Sequence, residues 1–529
     1  MDSPNPARGA QGSAYTARQS ALSSQREPFV PPRQVLDQVD GRLLDPGTAL
    51  VIKGVRPRST VYVGPRLIIA RGRDTQPTVG RLQEVAETLG WTATVHPDDE
   101  PKGREASSSI GVVRVDLGVR DDTATIAPDG WVLLQHARAT YGVEAMSRVG
   151  LDHIVLVRSI DPNPFHSTHP FHSTHPASGG DSSSAVSSYG VPGSGGRQPM
   201  TYAGPAPLRR TDEQVVGRRP VVATLDTGCG KHPWLTGVVA PGPQLDSRPI
   251  GYVDDPTDPE KWFDQVGALD GGIDPLAGHG TFIAGLIHQA CPDADIVAWR
   301  IVGSDGPVVE SDLVTALGHI AEVARRHRDG EPGGHPIDVL SLSMGYYHET
   351  PQDLLFDPTM YEILKLLGEC GVSVVCSAGN DATARPMFPA AFAPWADGSG
   401  GVTAVDDVVP VVSVGALNPN GTDALFSNAG PWVRAHAPGA AVMSTLPPFQ
   451  GGLEPQARTE AYMRRRESID PDDFSGSFAL WSGTSFSAPL FAGRVAAGLV
   501  DHIDPDDDRR AAAVARCWES LRALTDLAP

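Results

Sequence analysis

Residues 481–500 read Trp-Ser-Gly-Thr-Ser-Phe-Ser-Ala-Pro-Leu-Phe-Ala-Gly-Arg-Val-Ala-Ala-Gly-Leu-Val. The many small residues predict a helix that packs closely against its neighbours, and Gly483 predicts a tight turn before it. A serine hydroxyl at a helix start is exposed and has backbone N–H donors beside it, as a nucleophile requires. Ser485 is therefore a candidate nucleophile, although a buried Gly/Ala-rich helix with a capping serine explains this stretch equally well.

The length and charge of the chain limit the classes of protein to which it can belong. Its 529 residues suffice for roughly two to four domains and at least one large core. It carries 43 Lys and Arg against 63 Asp and Glu, a formal net charge of −20. This charge repels phosphate backbones and anionic lipid surfaces, so we expect neither nucleic acid nor a membrane as a partner.

The cysteines and the first residues indicate the compartment. The five cysteines are odd in number and none stands in a Cys-x-x-Cys pair, so they predict neither a disulfide framework nor a zinc site. The first residues lack the apolar stretch of a secretory signal, and no apolar run reaches the length of a membrane span. We therefore expect a soluble, cytoplasmic protein. The cysteines are Cys229, Cys291, Cys370, Cys376 and Cys517.

The N-terminal part divides into three segments. Residues 1–48 are rich in Ser, Gln, Arg and Pro and are expected to be a flexible tail. Residues 49–160 show the pattern β-α-β, β-α-β of a small ferredoxin-like or related α+β domain, with 60–63 and 66–70 as two strands about a Gly-Pro turn. Residues 161–212 are dominated by Ser, Gly, Pro and His and are expected to be a disordered linker.

The linker contains a tandem repeat, Pro-Phe-His-Ser-Thr-His, at 164–169 and 170–175. It places a histidine at every third position, so metal binding is one explanation. Because no carboxylate or thiol is spaced to complete a site, a local duplication in a disordered segment is the favoured explanation.

Residues 213–529 show short apolar runs that alternate with helical patterns. This alternation predicts an α/β domain with a doubly wound, mostly parallel, buried sheet, in which functional residues collect at the carboxyl ends of the strands. The apolar runs are 221–225, 296–301, 339–343, 372–378 and 411–414. The helical patterns lie near 279–289, 311–327, 358–369 and 485–500.

Four polar residues stand at predicted strand ends or helix starts. Asp226 and Asn380 each follow a buried strand, whereas His279, between two glycines, and Ser485 each begin a helix. Each alone has an ordinary structural explanation. Together they offer an acid, a base, an amide donor and a nucleophile, in the order Asp, His, Asn, Ser.

In this order the four blocks resemble those of the subtilisin-like serine peptidases, the subtilase family. The blocks are Leu-Asp226-Thr-Gly, Gly-His279-Gly-Thr, Ser-Ala-Gly-Asn380 and Gly-Thr-Ser485-Phe-Ser-Ala-Pro, and they cover roughly residues 220–500. The resemblance implies a subtilisin-like fold and a serine endopeptidase that cuts polypeptides through an acyl-enzyme.

The resemblance also implies a role for each of these residues. Ser485 would be the nucleophile, His279 the general base and acid, and Asp226 the group that orients the imidazole and stabilises its charged form. The Asn380 side chain and the backbone N–H of Ser485 would bind the oxyanion.

Two segments resemble the family's substrate-binding strands, which sandwich an extended peptide as an added strand. Pro307 departs from the ideal because it has no N–H, so one rung of that ladder is expected to be missing. Calcium is common in the family, but no ligand set can be placed here, so neither a metal site nor a cofactor is predicted. The implied substrate-binding residues are Ser343, Met344, Gly345, Gly306, Val308, Ala378 and Gly379.

Two insertions depart from a minimal catalytic domain of this family. Residues 246–272 are acidic, and residues 446–478 carry an arginine run and an aspartate run. We expect both to be solvated surface, and long loops around a cleft can also restrict access to it.

Residues 49–160 resemble, in element order, the N-terminal prodomain that subtilases often carry. The resemblance implies that this domain covers the catalytic domain and that its last segment fills the cleft until it is cut. We expect self-cleavage between about Ser167 and Thr211, in the exposed linker. The alternative is a permanent sensor or a domain that binds a regulatory protein.

Two other functions stay open. One is a peptide-binding or sensing module of the same fold in which catalysis is weak or conditional, against which the intact triad argues. The other is a metallohydrolase that uses Asp226 and His279, which leaves Asn380 and the Gly-Thr-Ser485 block unexplained.

Overall fold

The structure is a computed structural model that describes most of the chain. The described residues are 27–52, 57–99, 111–120, 126–157, 186, 188–191, 194–201, 203–266, 269, 271–304, 306–350 and 358–529. The first 26 residues of the expected tail and the tandem-histidine segment lie outside the described residues.

The N-terminal unit contains a four-stranded antiparallel sheet with two helices packed against it. Its elements are α1 (Arg33–Asp37), β1 (Gly41–Leu44), β2 (Thr60–Ala70), α2 (Thr75–Thr88), β3 (Trp91–Val95), β4 (Val112–Val119), α3 (Gly130–Tyr141) and β5 (Val149–Val157). The strand order is β5-β2-β4-β3, and each neighbouring pair is antiparallel. Leu67 of β2, Leu82 of α2 and Leu134 of α3 are fully buried in one shared core. The arrangement is that of a ferredoxin-like α+β domain.

Two details of this unit differ from the sequence predictions. Residues 60–70 form one strand rather than two strands about a turn, and the register of β2 against β5 shifts between Tyr62 and Leu67. Because Pro65 has no backbone N–H, the ladder is interrupted there while the chain continues. The segment expected to be a flexible tail contains α1 and β1, and β1 pairs with β2.

The larger unit is built on a seven-stranded sheet of order β15-β14-β13-β11-β7-β9-β8, in which all neighbouring pairs are parallel. The larger unit as a whole contains more strands than this sheet. They are β6 (Gln198–Met200), β7 (Val221–Asp226), β8 (Val239–Pro241), β9 (Asp295–Arg300), β10 (Pro307–Val309), β11 (Val339–Leu342), β12 (Met344–Gly345), β13 (Ser373–Ser377), β14 (Val412–Leu417), β15 (Ala435–Pro438), β16 (Val442–Thr445), β17 (Arg458–Ala461), β18 (Arg464–Glu467) and β19 (Phe478–Trp481). Its helices are α4 (His279–Ala290), α5 (Glu310–Arg328), α6 (Pro358–Glu369), α7 (Thr484–Ala497) and α8 (Arg510–Leu524). The predicted parallel sheet is confirmed.

Helices cover both faces of this sheet. Successive residues of a strand point to opposite faces, and accordingly Val221 and Ala223 of β7 pack in one core while Val222 packs in another. The first core contains α5 and α6, and the second contains α4 and α7. The buried β7 is therefore mainly apolar, with Thr224 and Asp226 as its polar residues, and this apolar run is the signal by which the sequence predicts it. No helix in the described part of the chain is long and apolar enough to span a membrane.

The expected linker and the second insertion contain regular structure. At the end of the linker, β6 pairs with β19, and the Arg197 guanidinium lies 4.6 Å from the centre of the Trp481 ring system. Within the second insertion, β17 and β18 form an exposed antiparallel hairpin. The described residues from 194 onward thus pack as part of the larger unit.

The N-terminal sheet packs on helix α5. Ile68 and Val112 of that sheet share one buried core with Leu313 and Leu317 of α5. At the same junction Asp152 of β5 accepts hydrogen bonds from the backbone N–H and the hydroxyl of Ser311, both at 2.9 Å. The carboxylate therefore caps the first turn of α5 from the other unit.

Candidate active site

Asp226 and His279 form a buried hydrogen-bonded pair at the carboxyl end of β7. His279 Nδ1 lies 2.7 Å from Asp226 Oδ1, which also accepts from the backbone N–H of Thr227 at 2.8 Å. Both side chains are almost completely buried. A carboxylate at Nδ1 holds the proton there and leaves the lone pair on Nε2.

The glycines beside His279 allow close backbone packing. A Cβ atom on Gly280 would lie 2.0 Å from the carbonyl oxygen of Gly228, and Gly278 has φ of +78°. The helix start can therefore lie directly against the loop after β7, which brings the imidazole to Asp226. A Cβ atom on Gly278 would lie 2.6 Å from Leu446 Cδ1 and 2.9 Å from Pro447 Cδ, so this glycine also allows a close contact.

The other ring nitrogen of His279 faces an apolar wall. Nε2 is buried and makes no hydrogen bond within the described part of the chain. The ring lies against Trp481 and Phe486, with ring centroids 5.7 and 5.4 Å away. An unpaired basic nitrogen in an apolar setting can accept a proton, and catalytic hydrogen bonds often tighten only in the substrate complex.

Ser485 is the second residue of α7 and is buried beside the cleft. Its backbone carbonyl accepts a hydrogen bond of 2.9 Å from the Ser343 hydroxyl. This bond connects the start of α7 to Ser343, the residue between β11 and β12. The predicted nucleophile and one predicted substrate-binding segment are therefore adjacent.

The Asn380 side chain is held in one orientation by Thr484. Asn380 Oδ1 accepts from the backbone N–H and the hydroxyl of Thr484, both at 2.8 Å. The same hydroxyl accepts from the backbone N–H of Gly379 at 3.0 Å. With its oxygen engaged, the amide presents its NH₂ group on the other side, and both Asn380 and Ser485 line one cleft.

The two segments predicted to bind substrate form the short strands β10 and β12, and a strand of the N-terminal unit lies between them. Strand β5 pairs antiparallel with β10 on one side and with β12 on the other. Val155 is opposite Val308, Leu156 is opposite both Pro307 and Gly345, and Val157 is opposite Met344. The backbone N–H of Val157 also donates to the carbonyl of Gly306 at 3.3 Å. The position that an added strand would take is thus filled by the chain itself.

Ala378 and Gly379 lie at the end of β13 beside this ladder. The carbonyl of Ala378 accepts from Asn428 Nδ2 at 2.9 Å, and Gly379 has φ of +101°. This left-handed turn is one that glycine adopts readily, and it carries the chain to Asn380.

Glu260 is a buried carboxylate that the sequence analysis missed. Its Oε1 lies 2.5 Å from the Thr227 hydroxyl and 2.9 Å from the backbone N–H of Gly280, and its Oε2 lies 2.5 Å from the Thr281 hydroxyl. It thereby joins the residue after Asp226 to the first turn of the His279 helix. Glu260 belongs to the acidic insertion that was expected to be solvated surface, and no sequence signal distinguishes it from its exposed neighbours.

Replacing Glu260 with Gln is expected to change how stability depends on pH. Burial raises the pKa of Glu260 to about 7, although hydrogen bonds from Thr227 and Thr281 oppose this shift. Because the folded pKa is above the unfolded value near 4.5, folding loses stability as pH rises from about 4.5 to 7, by about 3 kcal/mol. The urea unfolding midpoints of Glu260→Gln and of its parent are compared, both in a Ser485→Ala background. As pH rises through this window, the midpoint of the parent should fall relative to that of Glu260→Gln. A constant difference from pH 4.5 to 7.5 would contradict this shift.

Cys229 is a half-buried thiol close to Glu260 and Thr281. The Thr281 hydroxyl lies 4.0 Å from its sulfur. Burial and the nearby Glu260 carboxylate raise the pKa of the thiol well above its usual range. A thiol kept protonated is a poor nucleophile.

Cys229 is therefore expected to react slowly with maleimides at neutral pH, so these reagents should leave activity intact. Intact-mass analysis of the native protein, with the unfolded chain as the fully reactive control, measures the modification. Rapid labelling of Cys229 together with loss of activity would show an accessible, reactive thiol instead.

A family model described as the subtilase family matches residues 217–506, more than half of the 529-residue chain. The chain belongs to the subtilase family. The fold of this subtilase is accordingly a subtilisin-like α/β fold, as the sequence predicts.

Several relatives show how far the likeness extends. This subtilase is 25% identical over 298 residues to an intracellular serine protease of Paenibacillus polymyxa, which covers 54% of this chain and 67% of the relative. It is 25% identical over 249 residues to the major intracellular serine protease of Bacillus subtilis strain 168, which covers 44% of this chain and 62% of the relative. Among solved structures it is similar to fervidolysin from Fervidobacterium pennivorans, described as a keratinolytic enzyme related to subtilisin. That match has a TM-score of 0.43 and 20% identity, and covers 85% of this chain and 56% of that one.

Proposed function

We propose that this subtilase is a serine endopeptidase that hydrolyses peptide bonds through an acyl-enzyme. The observation that carries the proposal is the contact of 2.7 Å between His279 Nδ1 and Asp226 Oδ1, beside the buried start of the Ser485 helix. Membership of the subtilase family supports it. The net charge of −20 makes a polypeptide a more suitable substrate than a polyanion.

In the proposed reaction each residue has one role. Ser485 Oγ attacks the scissile carbonyl carbon while His279 Nε2 accepts its proton, and Asp226 stabilises the imidazolium that forms. His279 then returns the proton to the leaving amine, and water releases the acyl group by the same route in reverse. Asn380 Nδ2 and the backbone N–H of Ser485 stabilise the oxyanion, because both are fixed before the charge develops.

We further propose that the N-terminal unit inhibits the peptidase through β5. This strand pairs with both segments predicted to bind substrate, and its residues Val155 and Val157 are buried between the two units. A tethered domain has an effective concentration in the millimolar range, so even a weak inhibitor would be bound almost completely.

Self-cleavage of the wild-type chain is expected directly after β5. Val157 is opposite Met344, and the hydroxyl of Ser343, the residue before Met344, donates a hydrogen bond to the carbonyl of Ser485. The direction of β5 at Val157 is therefore toward the nucleophile. We expect a fragment that begins between residues 159 and 161, upstream of the range indicated by linker exposure alone. N-terminal sequencing of purified wild-type protein measures this, and Ser485→Ala should stay full length.

Other cleavage results have separate meanings. A first residue between Ser167 and Thr211 would show that β5 inhibits the enzyme without being its cleaved substrate. An uncut wild-type chain that is fully active on peptides would show that the N-terminal unit is not inhibitory, and would favour a permanent sensor domain or one that binds a regulatory protein.

Two observations favour a second candidate function. Strand β5 lies between β10 and β12 and borders the cleft, and His279 Nε2 has no hydrogen-bond partner among the residues that the structure describes. A conditionally active peptide-binding module, opened only when a competing peptide displaces β5, fits the same arrangement. Since both named bacterial relatives are intracellular proteases, we place either function inside the cell.

A further inference from the structure

Four buried ionisable side chains meet where β5 crosses the larger unit. His153 comes from β5, Glu310 begins α5, and His348 and Glu349 follow β12. Each of these side chains is no more than 3% exposed. None of them has a place in the proposed peptidase reaction.

The contacts of His153 define the centre of this cluster. His153 Nε2 lies 2.8 Å from Glu349 Oε2, and Nδ1 lies 2.6 Å from Glu310 Oε2. His348 Nδ1 lies 3.3 Å from the same Glu349 oxygen. One atom each from His153, His348 and Glu349 thus lies within 4.8 Å of the other two.

Two features of the cluster favour binding of a cation. Glu349 Oε1 is buried and makes no hydrogen bond in the described part of the chain. His348 Nδ1 faces Glu349 Oε2 while also accepting from the backbone N–H of Thr350 at 3.3 Å. A nitrogen that accepts cannot also donate to the carboxylate, so two electron-rich atoms face each other in a buried site.

The spacing and the outer partners suit a tetrahedral transition-metal ion. Zinc bonds of about 2.0–2.1 Å place neighbouring ligand atoms roughly 3.3 Å apart. The contacts of Glu349 Oε2 with His153 and His348 are 2.8 and 3.3 Å. A metal-bound histidine usually donates its other N–H to a carboxylate, the position that Glu310 occupies at His153. Calcium suits the site poorly, because it prefers oxygen ligands.

We propose that His153, His348 and Glu349 bind one divalent transition-metal ion of the zinc class, which clamps β5 to the larger unit. Each histidine supplies one nitrogen, and Glu349 supplies one or both oxygens. The lone pair of His348 Nδ1 exchanges its long contact of 3.3 Å with the Thr350 N–H for the metal. Glu310 holds the proton on His153 Nδ1 and so directs Nε2 to the metal.

A proton is the competing occupant. Burial opposes the charge of His153, but Glu310 and Glu349 raise its pKa to about 10. Arg138 also acts electrostatically on Glu349. Metal binding must therefore release the proton of His153 Nε2, as is usual for histidine ligands. Without metal, the same residues form an imidazolium held between two carboxylates.

The clamp deepens the proposed function and rests on it. One ligand lies on the strand that fills the cleft and two lie on the larger unit. Metal binding would therefore strengthen docking of β5 and keep the peptidase closed, since a ligand that binds only the docked form stabilises that form.

The test uses the full chain with two background changes. Ser485→Ala prevents self-cleavage, and serine replaces the four linker histidines so that they cannot compete for the probe. This parent is titrated with Co²⁺, whose visible absorption reports tetrahedral coordination, and the complex is then challenged with Zn²⁺. The replaced histidines are His166, His169, His172 and His175.

We expect one equivalent of Co²⁺, displaced by Zn²⁺, and a thermal unfolding midpoint that rises with Zn²⁺. Glu349→Gln should abolish all three effects, and Glu310→Gln should weaken affinity about 10–100-fold. The exposed His502→Gln is the matched control and should bind as the parent does.

Two results would overturn the clamp. The first is absence of saturable metal binding by the parent, which needs no further variant to interpret. The second is binding by a folded Glu349→Gln variant at parental affinity. The parent lacks the Ser485 hydroxyl, so neither result tests the proposed peptidase function. That function is tested separately, by labelling of Ser485 in the wild-type chain.

Discussion

Ser485→Ala is expected to lose peptidase activity by at least about 10⁴-fold, because the attacking atom is gone and no neighbouring group replaces it. Folding should be unaffected, since the substitution removes one hydroxyl at a helix start. The matched control is Ser487→Ala. Ser487 is fully buried on the same helix, and its hydroxyl makes no hydrogen bond among the residues that the structure describes.

The comparison is made on peptide substrates with chains whose N-terminal unit has been removed by the same external protease. Activity in Ser487→Ala with none in Ser485→Ala assigns the nucleophile to one position. Equal activity in both variants would mean that another residue attacks the peptide bond.

Asn380→Ala is expected to reduce kcat by about 10² to 10³-fold with little change in KM. The lost donor acts on a charge that exists only after attack, so it stabilises the transition state and not bound substrate. The substitution also removes the acceptor of two hydrogen bonds from Thr484, so positioning must be separated from donation.

Asn380→Asp makes this separation. The carboxylate keeps an acceptor for Thr484 but places a negative oxygen where the NH₂ group was. Donation predicts that Asp is at least as damaging as Ala, whereas a purely structural role predicts that Asp restores activity. Asn420→Ala, at an exposed turn, serves as the neutral control.

The central sheet and the site residues could be predicted from the sequence, for different reasons. Strand β7 is buried on both faces and so reads as a mainly apolar run, which ends in the aspartate that contacts His279. The histidine, asparagine and serine each lie where a parallel sheet brings strand ends and helix starts together. Short, well-spaced blocks carried that information without any knowledge of long-range contacts.

Other features depend on contacts between distant residues, which no local pattern records. Leu156 pairs with residues roughly 150 and 190 positions later, and Leu156 is no more apolar than any other strand residue. Glu260 looks like one more acid in an acidic loop until the fold buries it under the His279 helix. Tyr62 and Leu67 belong to one strand because β4 and β5 pair along it, which outweighs the Gly-Pro signal for a turn.

The most direct test of the account is active-site labelling with a fluorophosphonate probe, read by peptide mass spectrometry. We expect one adduct, on Ser485, after the N-terminal unit has been removed, and much slower labelling of the full-length chain before that unit is removed. Glu260→Gln should label at Ser485 as well, since Glu260 supports the site without reacting. No adduct on Ser485 in the processed protein would contradict the claim that this chain is a serine peptidase, and would leave the peptide-binding module as its function.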